Sequence, residues 1–152
     1  GDLPTAPGKD SAPVFALNAM RDGSDEGAPL QRIQVIKGWL DDEGRMHQDI
    51  YDVAGDAQNG ASVDINTCQR KGEGQARLCS VWQDPKFDPN RDAVYYARVV
   101  ENPSCRWSTY QCNQLAPADR PPSCNDPDVP ETIQERAWTS PIWYTAASGD
   151  KT

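Results

Sequence analysis

The sequence predicts an all-β domain, sandwich-like and antiparallel, with long loops and at most short helical turns. Several short segments alternate apolar and polar residues with the two-residue period of a half-buried strand. Clusters of Gly, Pro, Asp and Asn separate these segments at intervals of about 8–12 residues, the spacing typical of sandwiches. No apolar stripe at helical spacing extends over about 11 residues, and strands do not alternate with helices as a parallel sheet requires.

The first elements follow this pattern closely. Val14–Leu17 is a short apolar run and is predicted to be a strand. Ile33–Trp39 alternates apolar and polar residues, and Asp41–Gly44 is a hairpin turn signal from which Met46–Val53 returns. Lys37 falls among the apolar positions of the second strand, so it is expected to mark the approach to a sheet edge.

The second half adds further strands around irregular loops. Val63–Ile65 and Leu78–Trp82 suit short strands, whereas the two Asp-Pro steps in Asp84–Asp92 predict an irregular loop, anchored by Phe87 packing inward. Ala93–Val100 has apolar residues at both its odd and its even positions, which predicts a central strand covered on both faces.

The C-terminal segment is aromatic and β-prone. Trp138–Tyr144 is predicted to be a strand, and Pro141 confines it to a sheet edge or a bulge because proline cannot donate to the ladder. Pro130 could begin one helical turn. The predicted organisation is a linker or entry arm over 1–13, a single β-rich domain over 14–145 and a flexible tail over 146–152. Since the chain starts at Gly1 without a Met or a signal segment, it is interpreted as a processed or excised piece.

Charge and hydropathy exclude two classes of partner. Lys and Arg number 15 and Asp and Glu 23, so the net charge is −8. No basic run could neutralise a phosphate backbone, which argues against nucleic acid. No segment approaches the roughly 18 consecutive apolar residues of a membrane span, which argues against membrane insertion.

The five cysteines predict structural disulfides in an oxidising compartment, and hence a periplasmic or secreted protein. Cys68 and Cys79 flank a polar double-glycine turn and are predicted to pair; Cys112 and Cys124 flank a proline-rich segment and form the second predicted pair. Cys105 remains the odd thiol, with Cys105–Cys112 as the main alternative pairing. The spacings do not match those of zinc sites, and no metal site is predicted.

Two other clusters are interpreted as structural. The acidic residues of Asp84–Asp92 lack the order of a calcium-binding loop, so a solvated loop is expected. The five tryptophans are expected to pack in the core, with an exposed sugar-stacking face as the alternative. No catalytic residues are assigned.

One segment combines charged, aromatic and hydroxyl side chains just after the most apolar strand. Loops fixed to such strands commonly carry binding function, so an interface or binding site is predicted there. The alternative is that Arg98 or Arg106 pairs with Glu101 or Glu135 to satisfy a partly buried charge. The predicted site residues are Arg98, Glu101, Arg106, Trp107 and Tyr110.

Five motifs carry a resemblance that spans nearly the whole chain: Leu30–Trp39, Val81–Pro89, Tyr95–Val99, Arg106–Tyr110 and Ile133–Tyr144. Together and in this order they resemble the C-terminal region of the bacterial domain-of-unknown-function 3604 family. The resemblance implies a large exported bacterial protein whose N-terminal portion is similar to metal-dependent hydrolases of the polymerase-and-histidinol-phosphatase type. It implies a divalent metal in that longer protein and no cofactor in this piece.

These observations lead to two hypotheses about function. In the first, the chain is an accessory C-terminal β domain that packs on the N-terminal catalytic domain of the same protein and has no complete active site of its own. In the second, it is a self-sufficient carbohydrate- or ligand-binding module that uses exposed tryptophans on a sheet face. The sequence does not identify a small-molecule ligand, and whether the parent protein is an enzyme is left open.

Overall fold

A computed structural model describes residue 2 and residues 12–24 and 27–146 of the chain. The predicted arm over 1–13 and tail over 146–152 fall mostly outside these residues. The described part is an antiparallel, sandwich-like all-β structure with one α-helix and two short 3-10 turns, Pro117–Asp119 and Pro122–Asn125. Its strands and helix are β1 Val14–Met20, β2 Leu30–Leu40, β3 Met46–Gly55, β4 Ser62–Val63, β5 Arg70–Lys71, β6 Arg77–Gln83, β7 Ala93–Glu101, β8 Ser104–Cys105, α1 Trp107–Gln114, β9 Thr132–Ile133, β10 Arg136–Trp138 and β11 Ile142–Tyr144.

The main sheet has the strand order β10-β7-β2-β3, and β11 also pairs with β7. β2 and β3 form the predicted hairpin, whose turn residue Gly44 has φ +75°, a conformation that glycine adopts without strain. β10 and β11 together form one interrupted edge strand, with Pro141 in the interruption. The structure thus places this proline at a sheet edge, as predicted.

A two-stranded antiparallel ribbon, β1-β6, forms the second layer. Phe15 and Trp82 from the ribbon pack against a core cluster that includes Val35 and Tyr95 of the main sheet. A second cluster joins Leu78 of the ribbon to Leu30 and Ile33. Because successive residues of a strand point to opposite faces, this packing defines the inner face of the main sheet.

β7 is central, as predicted, and none of its residues is exposed. Tyr95 on the inner face is 1% exposed. On the outer face Val94, Tyr96 and Arg98 are half-buried. The apolar run therefore predicted the central position of the strand correctly, whereas the burial of its outer face is only partial.

Lys37 contradicts the prediction that it lies near a sheet edge. β2 runs between β3 and β7, and Lys37 is 5% exposed on the inner face. Its Nζ lies 2.6 Å from Oδ2 of Asp84, at the end of the ribbon. A buried carboxylate of opposite charge is what allows a lysine to occupy an apolar position.

The disulfides correct one predicted pair. Cys112 and Cys124 are bonded, as predicted, but Cys68 is bonded to Cys105 and not to Cys79. Cys79 is a free, exposed cysteine. The reason is strand alternation: Leu78 faces the core, so Cys79 points away from it on the ribbon.

The helix α1 was not predicted. Conversely, no helical turn begins at Pro130, where one was expected, and the chain enters the short strand β9 at Thr132. No side chain caps the start of α1 at Arg106, and the helix has no apolar stripe. It is fixed by its surroundings: the Thr109 hydroxyl donates to the Glu131 carbonyl at 2.7 Å, and Cys112 is bonded to Cys124. Tertiary contacts thus replace local sequence signals.

The tryptophans do not all pack in the core, contrary to expectation. Trp39 and Trp82 pack against the core cluster, whereas the other three are largely exposed. The exposed fractions are 69% for Trp107, 58% for Trp138 and 53% for Trp143.

The acidic loop after β6 is anchored as expected, with one difference. Phe87 packs inward against Tyr144, with ring centroids 4.9 Å apart. Asp84 is not solvated: it is 3% exposed and paired with Lys37. Among the described residues no group of three or more His, Cys, Asp or Glu side chains could hold a metal ion, and none of the helices is long and apolar enough to span a membrane.

Candidate interaction cleft

A cleft of about 600 Å³ opens where β7 leaves the main sheet and the chain enters β8 and α1. β8 pairs with β9, and the Arg106 amide donates to the Glu131 carbonyl at 2.9 Å. These bonds fix the start of α1, so Trp107 and Tyr110 stand one helical turn apart on one wall.

The cleft brings together four of the five predicted site residues. Glu101, Arg106, Trp107 and Tyr110 all line it. Trp107 is 69% exposed and Tyr110 is 42% exposed, so both rings are accessible. The remaining lining residues are Arg70, Ser104, Cys105, Gln111, Gln114, Ile133 and Glu135.

Carboxylates and guanidinium groups share this cleft, where burial and, to a smaller extent, these charges perturb the pKa of Glu101. Burial raises the pKa of Glu101 above its ordinary value of 4.5, and the nearby charge of Glu135 adds to the increase. A hydrogen bond from the Ala28 amide and the charge of Arg70 act in the opposite direction. Glu101 therefore binds a proton more readily than an exposed glutamate.

The floor of the cleft is held by a disulfide and by side-chain hydrogen bonds. The Cys68–Cys105 bond ties β8 to the β4-β5 hairpin. Next to it, the buried Asn102 side chain donates to the Glu73 carbonyl at 3.1 Å and accepts from the Asn59 amide at 2.8 Å. Side chains held on such a floor are preorganised for binding.

Arg70 is a charged cleft residue that the sequence did not indicate. It lies far from Glu101 along the chain, and the Cys68–Cys105 bond brings its strand to the cleft. The available signal was the cysteine pairing: had Cys105 been assigned to Cys68, Arg70 would have been expected beside Arg106.

Arg98, the fifth predicted site residue, lies elsewhere. Its Nε and Nη2 donate to Oε1 of Gln34 at 2.8 and 2.6 Å, and the Gln34 amide in turn donates to Asp52 at 2.7 Å. The alternative in which Arg98 pairs with Glu101 or Glu135 is therefore wrong. This polar chain runs across the outer face of the main sheet.

The outer face also carries two exposed tryptophans. Trp138 pairs with Arg98, and Trp143 pairs with Val94. Arg98 and Val94 point to the same side of β7 because they are an even number of residues apart, so both tryptophan rings lie on this face. These two positions are four residues apart along β7, which separates the two tryptophans by about 13 Å along the strand. Tyr96 occupies the outward position between them. We call this surface, formed by Trp138, Trp143, Tyr96, Arg98 and Gln34, the open face.

The cleft and the open face differ in chemistry. The cleft joins two aromatic rings with groups of both charges, which suits a polar and charged surface of a partner. The open face joins a row of aromatic rings with hydrogen-bonding side chains, which suits a flat ligand.

Comparison with known proteins gives one match. The model of the family described as "Protein of unknown function (DUF3604)" matches residues 1–146. No curated protein and no solved structure shows significant similarity to the chain.

Proposed function

The chain belongs to the DUF3604 family, and from this premise we propose that it is an accessory β domain of a larger exported bacterial protein resembling metal-dependent hydrolases. The domain packs on the catalytic domain of the same protein through the cleft, without an active site of its own. Any divalent metal is held by that catalytic domain.

The observation that carries the proposal is the pair of exposed aromatic side chains beside Arg106. Trp107 and Tyr110 line the cleft with their rings accessible. Trp, Tyr and Arg are the residue types that dominate binding energy at protein interfaces, and they do so when rigidly presented. A partner that covers these rings would bury apolar area that now faces solvent, and this burial favours association.

The two disulfides support export. The chain has two disulfides, which persist in oxidising compartments and are rare in the cytosol. Both bonds fix elements next to the cleft, Cys105 at its floor and Cys112 on α1. A periplasmic or secreted location would thus preserve the shape of the proposed interface.

The test uses the longer protein that contains this chain. Trp107→Ala and Arg106→Ala are compared with Trp138→Ala, an equally accessible tryptophan outside the cleft. We expect the two cleft variants to lower metal-dependent phosphoester hydrolysis or the melting temperature of the catalytic domain, and Trp138→Ala to leave both unchanged. The proposal fails if both cleft variants match the wild type, or if the present chain alone hydrolyses phosphoesters with a metal.

A second candidate function rests on the open face. Trp138 and Trp143 are both more than half exposed on one side of the sheet, and the arrangement suits stacking of sugar rings on aromatic side chains. The guanidinium group of the half-buried Arg98 lies beside them and can donate hydrogen bonds to hydroxyl groups. A carbohydrate-binding module is therefore the alternative proposal.

The same variants separate the two functions. Carbohydrate binding predicts retention of the chain on soluble or insoluble polysaccharides, with loss for Trp138→Ala and Trp143→Ala and no change for Trp107→Ala. An absence of retention across a broad glycan panel would reject this alternative.

A further inference from the structure

Lys37 and Asp84 form a buried contact between the two layers of the sandwich. Lys37 belongs to β2 of the main sheet, and Asp84 directly follows β6 of the ribbon. Their side chains are 6% and 0% exposed, and Lys37 Nζ lies 2.6 Å from Asp84 Oδ2. Neither proposed function uses this pair.

Every polar atom of the pair is held in a defined position. Lys37 Nζ also donates to the Lys86 carbonyl at 2.7 Å. Asp84 Oδ1 accepts from the Lys86 amide at 2.9 Å, and Oδ2 accepts from the Tyr95 hydroxyl at 2.7 Å. The rings of Trp39 and Tyr95 lie 5.4 and 5.9 Å from Nζ, so aromatic surface surrounds the amine.

We propose that Lys37 and Asp84 condense in the folded protein to form an intramolecular amide cross-link between Nζ and Cγ. The reaction needs a nucleophile held against a carboxyl group in a site that excludes water, and the structure places these two groups in contact inside the sandwich. Fixing both reactants in one geometry gives a very high effective concentration, since the entropy of bringing them together is lost on folding.

The atoms balance without any further reactant. A proton moves from the Lys37 ammonium to Asp84 Oδ2, which leaves a neutral amine and a carboxylic acid. Nζ attacks Cγ and the C–N bond forms; the C–Oδ2 bond breaks, and Oδ2 leaves as water with a second proton from Nζ. Oδ1 becomes the amide oxygen.

The neighbouring donors are placed for this reaction. The Lys86 amide donates to Oδ1, where negative charge develops as Nζ attacks. The Tyr95 hydroxyl donates to Oδ2, the oxygen that leaves. The product is a neutral amide, so the cross-link also removes a buried ion pair and its cost of desolvation.

The test is the intact mass of the chain, folded at neutral pH over several days and then denatured and reduced so that the disulfides do not contribute. We expect the measured mass to be lower than the mass calculated from the sequence by the mass of one water molecule. Proteolytic mapping should find the Lys37 peptide joined to the Asp84 peptide. A folded wild-type sample with its full residue mass, or a water loss located elsewhere, such as a succinimide at Asp22-Gly23, would overturn the proposal.

Two variants sharpen the result. Lys37→Arg keeps the charge and cannot form this amide under these conditions, so it should retain the full mass. Tyr95→Phe should form the cross-link more slowly, by about a hundredfold. An unchanged rate in Tyr95→Phe would overturn the role of Tyr95, and water loss in Lys37→Arg would show a different reaction. If either variant fails to fold, the peptide map of the wild type still decides whether the cross-link exists.

Discussion

Cys68 is bonded to Cys105 across 37 residues, and this bond connects the β4-β5 hairpin to the floor of the cleft. The hairpin brings Arg70 into the cleft that Arg106 also lines. One covalent bond therefore assembles a cleft from segments that are distant along the chain.

Removing this bond should destabilise the domain. For the double variant Cys68→Ser and Cys105→Ser we expect a loss of about 2–4 kcal/mol in the free energy of unfolding, because the unfolded chain is no longer constrained. Urea denaturation measures the loss. Cys79→Ser is the matched control, and as an exposed, unbonded position it should change stability by less than about 0.5 kcal/mol.

Thiol titration checks the same pairing independently. The native, unreduced protein should react as a chain with one free thiol, and Cys79→Ser should abolish that reaction. A native Cys105 thiol that reacts with the reagent would contradict the pairing.

Phe87 should contribute to stability by anchoring the loop that follows β6. Its ring packs against Tyr144 and the core cluster. We expect Phe87→Ala to lower the free energy of unfolding by about 3 kcal/mol, since it removes a large apolar side chain and leaves a cavity. Phe87→Leu should lose less than half of that amount. Equal stability of Phe87→Ala and the wild type would mean that the loop is held by its hydrogen bonds alone.

The strands were predictable from the sequence because apolar residues at alternate positions, or in short continuous runs between turn signals, favour extended chain. Ile33–Trp39 showed the period of a half-buried strand; β2 contains this segment, but its residues 33–37 are buried on both faces. The same reasoning failed for Lys37, because a charged residue on the apolar side has two explanations, an edge or a buried partner. Only the three-dimensional arrangement places Asp84 beside it.

Other features had no local signal. Helix α1 is short, uncapped and without an apolar stripe, so propensity could not predict it. The cleft residues from Glu101 to Tyr110 were predicted because they are close in sequence. Arg70 was missed because a disulfide brings it there, and cysteine pairing cannot be derived from spacing alone.

Gly74 should tolerate no side chain, because it lies under the floor of the cleft. A Cβ at Gly74 would come within 2.5 Å of Asn102 Nδ2 and 2.6 Å of Pro29 Cβ. We expect Gly74→Ala to cost about 1–3 kcal/mol of stability through overpacking. Gly23→Ala, where no atom lies within 4 Å, is the control and should have little effect. Similar unfolding midpoints for the two variants would indicate that the floor is looser than the structure describes.

Glu101 should make the domain less stable as the pH rises. Burial raises its pKa above 4.5 in the folded protein, so the folded state binds this proton more tightly than the unfolded state does. Between 4.5 and the raised pKa, stability therefore falls with increasing pH, and above the raised pKa the full penalty remains.

Glu101→Gln should remove this penalty while keeping an oxygen that can accept the Ala28 amide. We expect the variant to be more stable than the wild type at about pH 7, with the difference disappearing below pH 4.5, where Glu101 is protonated in both states. Urea denaturation of both proteins across this range measures the difference, in which the effects of the other carboxylates cancel. Glu43→Gln, on the exposed β2-β3 turn, serves as the control. A stability difference that does not vary with pH would mean that Glu101 titrates alike in the folded and unfolded chain, and that the cleft does not perturb its charge.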